Sequence, residues 1–375
     1  MKLTCDREKF FAAFQIAAAV APSRSPKPIL QSVKLDVGKD EAMLTATDME
    51  VGIRVQASGV TVEQPGAVIL PVSRVAAILR ESTDDRLDIE ADEKGAVIRG
   101  QRSEFKLPVQ DPSEFPQVAA FNEEKLHELK AGSLRELIRR TSFATDVESA
   151  RYALGGVLFE FTADGVTAVG TDGRRLAKME CAGKAIGGHE VHDATTIIPT
   201  RAAQLIERTL AALAESDDTI QIAARANDVL VRCGAAVLYS RLVEGRFPKW
   251  RDVFPQRTNA VKIPLVVGPA YSALRQASIV ASNESRGIDF QFGQGSLVLS
   301  GSNADHGAAR VEMPIPYDGE PITLTLDHRY LADFFKVLDA EKTFTCEIES
   351  SDTAALCTTD DGYGYVIMPL QRDRR

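Results

Sequence analysis

The chain has little of what catalysis usually draws on: five histidines, five cysteines and one tryptophan in 375 residues. It has no GxxxxGK[ST] loop, no GxGxxG after a strand, no HExxH and no GxSxG. The common nucleotide-binding, metallohydrolase and acyl-transfer signatures are therefore missing. No apolar run approaches the ~18 residues of a membrane span, and Met1–Lys9 alternates charge without the apolar stretch of a signal peptide. The cysteines (Cys5, Cys181, Cys233, Cys346 and Cys357) are odd in number, scattered and never spaced as CxxC. They read as reduced thiols of a cytoplasmic protein. The net charge of −9 excludes a chain coated in basic surface, the usual footprint of nucleic-acid binding.

What the chain does have is repetition. A strand-like apolar run, a proline and an amphipathic helix occur as VILPVSRVAAILR from Val68 and return as TIIPTRAAQLIERTL from Thr196. A looser third copy, ITLTLDHRYLADFFKVL from Ile322, carries Leu326 in place of the proline. Pro71 and Pro199 are 128 positions apart (199 − 71 = 128). A Thr-Asp pair ending a strand occurs at Thr47 and Thr171, 124 apart (171 − 47 = 124), with LSGSNAD from Leu299 as a degraded third copy. Phe-Pro closes both SEFP and GRFP. A shared period of this length is that of a whole domain, so three similar domains are expected, over 1–122, 123–255 and 256–375.

Each copy should hold two helices, near 7–20, 72–82, 133–144, 200–213, 269–281 and 327–338. Leu134, Leu137, Ile138 and Thr141 follow helical spacing, as do Val72, Val75, Ala76 and Leu79, and Leu331, Phe334, Phe335 and Leu338. Arg74, Arg139, Arg275 and Lys336 project from the opposite faces. The helical segments together are mildly basic on an acidic chain. Segments such as SVKLDV, MLTATD, TIQIAA and RVEMPI alternate and end at turn residues, as half-buried strands do. The fold class is α+β: antiparallel sheets with helices layered on one face, in three copies. The seams contain no Gly/Ser-rich linker, so the copies should pack rigidly.

The nearest metal-like cluster is His189-Glu190-Val191-His192-Asp193, which lacks a distant third ligand and reads as a solvated loop. His127, His306 and His328 stand alone, and the Asp217-Asp218 and Asp360-Asp361 pairs sit at turn signals. No metal, cofactor or catalytic residue is expected, and the chain reads as a binding or scaffold protein.

The stretches PKPILQSVKL, LTATDMEVGI, RYALGGVLFE, AVGTDGRRLA, LVEGRFPKW, SNESRGI and YVIMPL, in this order, resemble the bacterial DNA sliding clamps, the beta subunits of DNA polymerase III. The resemblance spans essentially the whole chain. It implies a head-to-tail homodimer closing a six-domain ring, with helices lining a channel around duplex DNA. Arg24 would lie on a channel-edge loop and touch DNA; Arg74, Arg139, Arg275 and Lys336 are added from helical phase. A ring holds DNA topologically, so a few cations giving nonspecific, salt-dependent attraction suffice.

The resemblance also implies a groove for peptides of the replicative polymerase, the clamp loader and other clamp-binding proteins. Its positions map onto Leu154, Thr171, Gly173, Arg174, Arg175, Leu176, Pro248, Val253, Val366, Ile367, Met368, Pro369 and Leu370. A peptide with a Gln and one or two bulky apolar side chains would suit it. The protomer interface would join Arg102, Phe105 and Leu107 to Ile279 and Val280. Departures from the family pattern are Trp250 where Tyr is common, Asp252 in place of a basic or neutral residue, Glu104 at an often basic position, and a tail running from Gln371 to Arg375. The alternative is a clamp-fold peptide scaffold that does not encircle DNA; a small-molecule hydrolase using the His189–Asp193 loop would need a metal.

Overall fold

The computed structural model describes residues 1–148, 152–191, 195–257, 259–281 and 286–370. Among them are seven α-helices: α1 Arg7–Ala18, α2 Val72–Glu81, α3 Ala131–Thr141, α4 Thr200–Leu213, α5 Trp250–Val253, α6 Val267–Ala277 and α7 His328–Lys336. Six follow the expected amphipathic segments. The largest shortfalls are at the ends of α3 and α6, where Ser142–Ala144 and Ser278–Val280 tighten into 3-10 turns. The short α5 was not expected. The six longer helices pack in pairs, α1 on α2, α3 on α4 and α6 on α7, each burying its apolar stripe: Val75, Ile78 and Leu79 in α2, Leu134, Leu137 and Ile138 in α3.

Among the described residues every strand pairing is antiparallel, and the strands form four sheets. A five-stranded sheet runs Val60–Gln64, Lys2–Asp6, Arg86–Asp92, Gly95–Arg99 and Glu104–Leu107. A four-stranded sheet at the other end of the chain runs Gly307–Pro314, Ser296–Asn303, Gly287–Gly293 and Ile322–Asp327. Between them lie a nine-stranded and an eight-stranded sheet, and each crosses a domain seam. In the first, strand Ala236–Arg241 pairs with Val51–Gln56, placing Leu238 opposite Ile53. In the second, Gly364–Ile367 pairs with Arg175–Ala182, placing Val366 opposite Leu176.

The two seams are copies of one another down to single hydrogen bonds. Arg241 N–H donates to Glu50 C=O at 2.9 Å in one, and Met368 N–H to Arg174 C=O at 3.0 Å in the other. Val243 N–H reaches Ile197 C=O, and Leu370 N–H reaches Thr325 C=O, both at 2.8 Å.

The repeated landmarks acquire physical roles. Pro71 and Pro199 are the N-cap residues of α2 and α4. The matching N-cap of α7 is Asp327, whose carboxylate accepts from Arg329 N–H at 3.0 Å. The third copy therefore replaces the proline at Asp327 and not at Leu326, and the spacing of 128 repeats (327 − 199 = 128). Proline presets the extended backbone before the helix, and Asp achieves the cap with its side chain instead. In the Thr-Asp turns, Asp48 accepts from the amides of Glu50 and Val51, and Asp172 from those of Arg174 and Arg175. Asn303 does the same for Asp305 and His306, so it is the third member.

Candidate functional site: an apolar groove at the second seam

The turn after strand Gly165–Thr171 is held from inside. Thr171 Oγ1 donates to Arg175 C=O at 2.6 Å and accepts from Gly173 N–H at 3.1 Å. Gly173 sits at φ +85° with open space where a Cβ would be, a conformation glycine adopts at little cost. The equivalent position of the first domain is Met49, also at positive φ. This turn, the 3-10 segment Tyr152–Leu154, helix α5 and the last strand converge on a cavity of about 300 Å³.

Leu154, Thr171, Gly173, Arg174, Arg175, Leu176, Pro248, Val253, Val366 and Met368 all line it, and so does Trp250. Its floor belongs to a small apolar cluster of its own, in which Leu176, Phe247 and Trp250 of one domain meet Leu356 and Val366 of the next. Val253 and Met368 form an exposed apolar rim, 62% and 49% accessible. Three of the sequence candidates lie elsewhere. Ile367 is fully buried in the main core, because successive side chains of a strand point to opposite faces. Pro369 and Leu370 follow the strand away from the cavity, and Leu370 packs beside Gly287.

Arg175 contributes its stem to the groove and its head to the seam. Its guanidinium donates to Asp172 at 3.0 Å, to Phe143 C=O at 2.8 Å and to Asp333 of α7 at 2.8 Å, and lies 4.5 Å from the Tyr330 ring centroid. Arg174 is exposed. Arg251 is tied by two hydrogen bonds of 2.9 and 2.8 Å to Glu160 and stacks over Trp250 at 4.3 Å. Asp252 is exposed and outside the cavity lining.

The first seam shows why its matching cavity is filled. Leu176 corresponds to Gly52, through the pairings Thr171–Leu176 and Thr47–Gly52. Trp250 corresponds to Val118, each two residues after the Phe-Pro proline. Val118 is buried and packs so close over Gly52 that a Cβ there would lie 2.7 Å from Val118 Cγ1. A side chain at 176 and a larger one at 250 hold the second seam open as a lined groove.

Of the sequence-derived cations, Arg24, Arg74 and Arg275 are exposed, Arg275 with its guanidinium 5.1 Å from the Tyr271 ring centroid. Arg139 is paired with Glu136 at 2.8 Å and Lys336 with Asp333 at 3.1 Å, so part of their charge is spent within their own helices. Arg208 of α4 is exposed without an ion-pair partner among the described residues and was not anticipated; its position on the polar side of the Leu205–Thr209 stripe is the signal that would have found it.

At the free edge of the five-stranded sheet, Phe105 and Leu107 are half-buried and Arg102 is exposed. Glu104 is neutralised within its own sheet, by Arg99 of the neighbouring strand at 2.8 Å and by Lys106 of its own strand at 3.1 Å. A recess of about 630 Å³ lies beside this edge, lined by Ile78, Arg102 and Phe105 among others. Ile279, at 78% accessible, is the most exposed large apolar residue of the described chain, whereas Val280 is turned into the core.

His189 is not on a solvated loop. It is buried, and its Nδ1 meets that of His127 at 2.7 Å. His127 Nε2 must donate to Thr162 C=O at 2.6 Å, so its Nδ1 accepts from His189 Nδ1–H, while His189 Nε2 accepts from Ala224 N–H at 3.2 Å. Both rings are satisfied in the neutral form, and burial lowers both pKa values. His192 and Asp193 lie outside the described residues; among those described, no three His, Cys, Asp or Glu side chains cluster as metal ligands.

Fold and site define a triplicated α+β scaffold with an open apolar groove at an interdomain seam. Residues 1–119, 128–249 and 251–371 match in turn the N-terminal, central and C-terminal domains of the DNA polymerase III beta subunit. The chain belongs to that family. It is 29% identical to the beta sliding clamp of Pseudomonas putida over 379 residues, covering 99% of this chain and 100% of the relative. The crystal structure of the DNA polymerase III subunit beta from Pseudomonas aeruginosa superimposes with a TM-score of 0.91 at 27% identity, covering 99% of this chain and 100% of that one. A sliding clamp from the same organism bound to griselimycin gives a TM-score of 0.92 at 26% identity with the same coverage.

Proposed function

We propose that the chain is a DNA sliding clamp: a non-catalytic ring that encircles duplex DNA in the cytoplasm and tethers the replicative polymerase, the clamp loader and other replication and repair proteins. The observation that carries this is the open third seam. Strands Ala236–Arg241 and Gly364–Ile367 each close a hairpin and add to the next sheet. Glu104–Leu107 closes the matching hairpin of the first domain and ends its sheet. Gly307–Pro314, matching the acceptor strands Val51–Gln56 and Arg175–Ala182, ends the sheet of the third. Each chain thus has one unused donor edge and one unused acceptor edge. A second copy, head to tail, satisfies both and closes two nine-stranded seams. Unpaired edges of this kind are otherwise an aggregation hazard.

The helices then face inward, and the exposed cations Arg24, Arg74, Arg208 and Arg275 meet phosphates without base contacts, so the ring is held and still slides. Arg139 and Lys336 contribute less, being partly neutralised. The acidic remainder of the chain keeps DNA off the outer surface. Domains over 1–122, 123–255 and 256–375 place the groove at the junction of the second and third. There Leu154, Leu176, Val366 and Met368 take bulky apolar side chains of an extended peptide, and Thr171 and the turn backbone orient it. The test is sedimentation mass with negative-stain imaging, followed by retention on nicked circular DNA before and after linearisation. Annular two-chain particles that are lost on linearisation are the expected result. Single-chain particles with retained peptide binding would replace this reading by that of a peptide scaffold.

A further inference from the structure

We propose that Asp333 is a positioning residue that couples the peptide groove to the DNA channel, an inference that rests on the sliding-clamp reading above. Asp333 lies on α7 and its two carboxylate oxygens are divided between two cations. One accepts from Arg175 of the groove turn at 2.8 Å, and the other from Lys336 at 3.1 Å, one helical turn further on and exposed. Arg175 is nearly enclosed, with 9% of its side chain accessible, and its other donors are held by Asp172 and Phe143 of its own domain. Asp333 is therefore the carboxylate by which the third domain grips the groove turn. That turn also presents Arg174 C=O to Met368 N–H on the groove rim, next to the pairing of Arg175 with Ile367, so the clasp acts together with that pairing on the separation of the two groove walls.

Lys336 competes for the same carboxylate from the side that the ring reading assigns to the channel. A DNA phosphate that draws Lys336 away leaves the whole charge of Asp333 to Arg175. The clasp tightens, and the groove is held closer to its peptide-bound shape. By linkage, a peptide in the groove favours DNA in the channel by the same factor.

The test measures binding of a fluorescent peptide carrying one Gln and two bulky apolar residues to the full chain, with and without a linear duplex that threads the ring. For the unaltered protein, DNA should tighten peptide binding about two- to fivefold, the range expected of a partly exposed ion pair. Lys336→Gln should bind the peptide as tightly without DNA as the unaltered protein does with it, and should no longer respond to DNA. Asp333→Asn should bind about fivefold more weakly or worse and be insensitive to DNA, with Asp333→Glu restoring the response. A Lys336→Gln protein with unaltered affinity and an unaltered DNA response overturns the coupling while leaving the groove intact. If the unaltered protein binds no peptide at all, the groove reading itself falls, and this inference with it.

Discussion

Replacing Ile279 by Ala should take the ring apart while leaving each chain folded. Ile279 is 78% accessible, so its side chain contributes little to the stability of the isolated chain. In the head-to-tail dimer proposed above it would meet the apolar edge formed by Phe105 and Leu107 of the other copy. The substitution removes three carbons, each worth about 0.8 kcal/mol when fully buried, or about 2.4 kcal/mol per interface. A closed ring contains two such interfaces, so dimer formation loses about 5 kcal/mol, a rise in dissociation constant of roughly three to four orders of magnitude. Sedimentation over a concentration series reads this directly, and thermal melting serves as control. Val280→Ala is the contrasting variant: Val280 is buried, so it should lower the melting temperature more than it weakens assembly. An Ile279→Ala protein that dimerises as before would refute the placement of Ile279 against Phe105 and Leu107.

Leu154→Ala and Met368→Ala each remove apolar wall from the groove and should weaken peptide binding about tenfold, with ring mass unchanged in sedimentation; retained affinity would move the peptide elsewhere. Asp361 ties the last domain to Arg140 of α3 at 2.9 Å and to Lys342. Burial works against its ionisation, but the hydrogen bond from Thr359 and the Arg140 guanidinium more than offset it and bring its pKa to about 2. A depressed carboxyl pKa stabilises the fold above its unfolded value near 3.9 and the effect is lost as pH falls towards 2. Denaturant midpoints between pH 5 and pH 2.5 should therefore fall less steeply for Asp361→Asn than for the unaltered chain, and identical slopes would exclude the linkage. The buried His127–His189 pair has lowered pKa values. Its stabilisation is present above an unfolded value near 6.5 and lost as pH falls below it. Urea unfolding at pH 7.5 and 5.5 should show the loss, and His127→Phe should reduce it.

The fold was legible because the chain states its domain three times: a proline before a helix, an Asp-capped turn and a Phe-Pro closure recur at one period. Each is a local backbone device, so it survives in sequence even where side chains diverge. Asp327 was misregistered for the same reason, since a carboxylate cap does in α7 what proline does in α2 and α4, and only the geometry equates them. The groove was legible mainly through resemblance. Ile367 was drawn in with its neighbours although strand alternation alone turns it inward.

What stayed hidden depends on contacts between segments far apart in the chain. His127 and His189 are 62 positions apart and Arg175 and Asp333 are 158 apart; neither pair has a local signature, so His127 reads as solitary, His189 as part of a solvated loop and Arg175 as a simple groove wall. Helix α5 spans four residues, too few to show a period, yet it delivers Trp250 to the cavity. The openness of the groove depends on a difference between two seams with the same backbone: Val118 fills the space over Gly52 in one, while Leu176 and Trp250 line a recess in the other. Exchanging that difference should exchange the property. Gly52→Leu should force Val118 aside and destabilise the first seam, because the incoming Cβ has no room within 2.7 Å. Trp250→Val should shrink the wall of the second without such a clash, weakening peptide capture and leaving the seam paired. Two seams that responded alike would mean that something other than these packing residues selects which one opens.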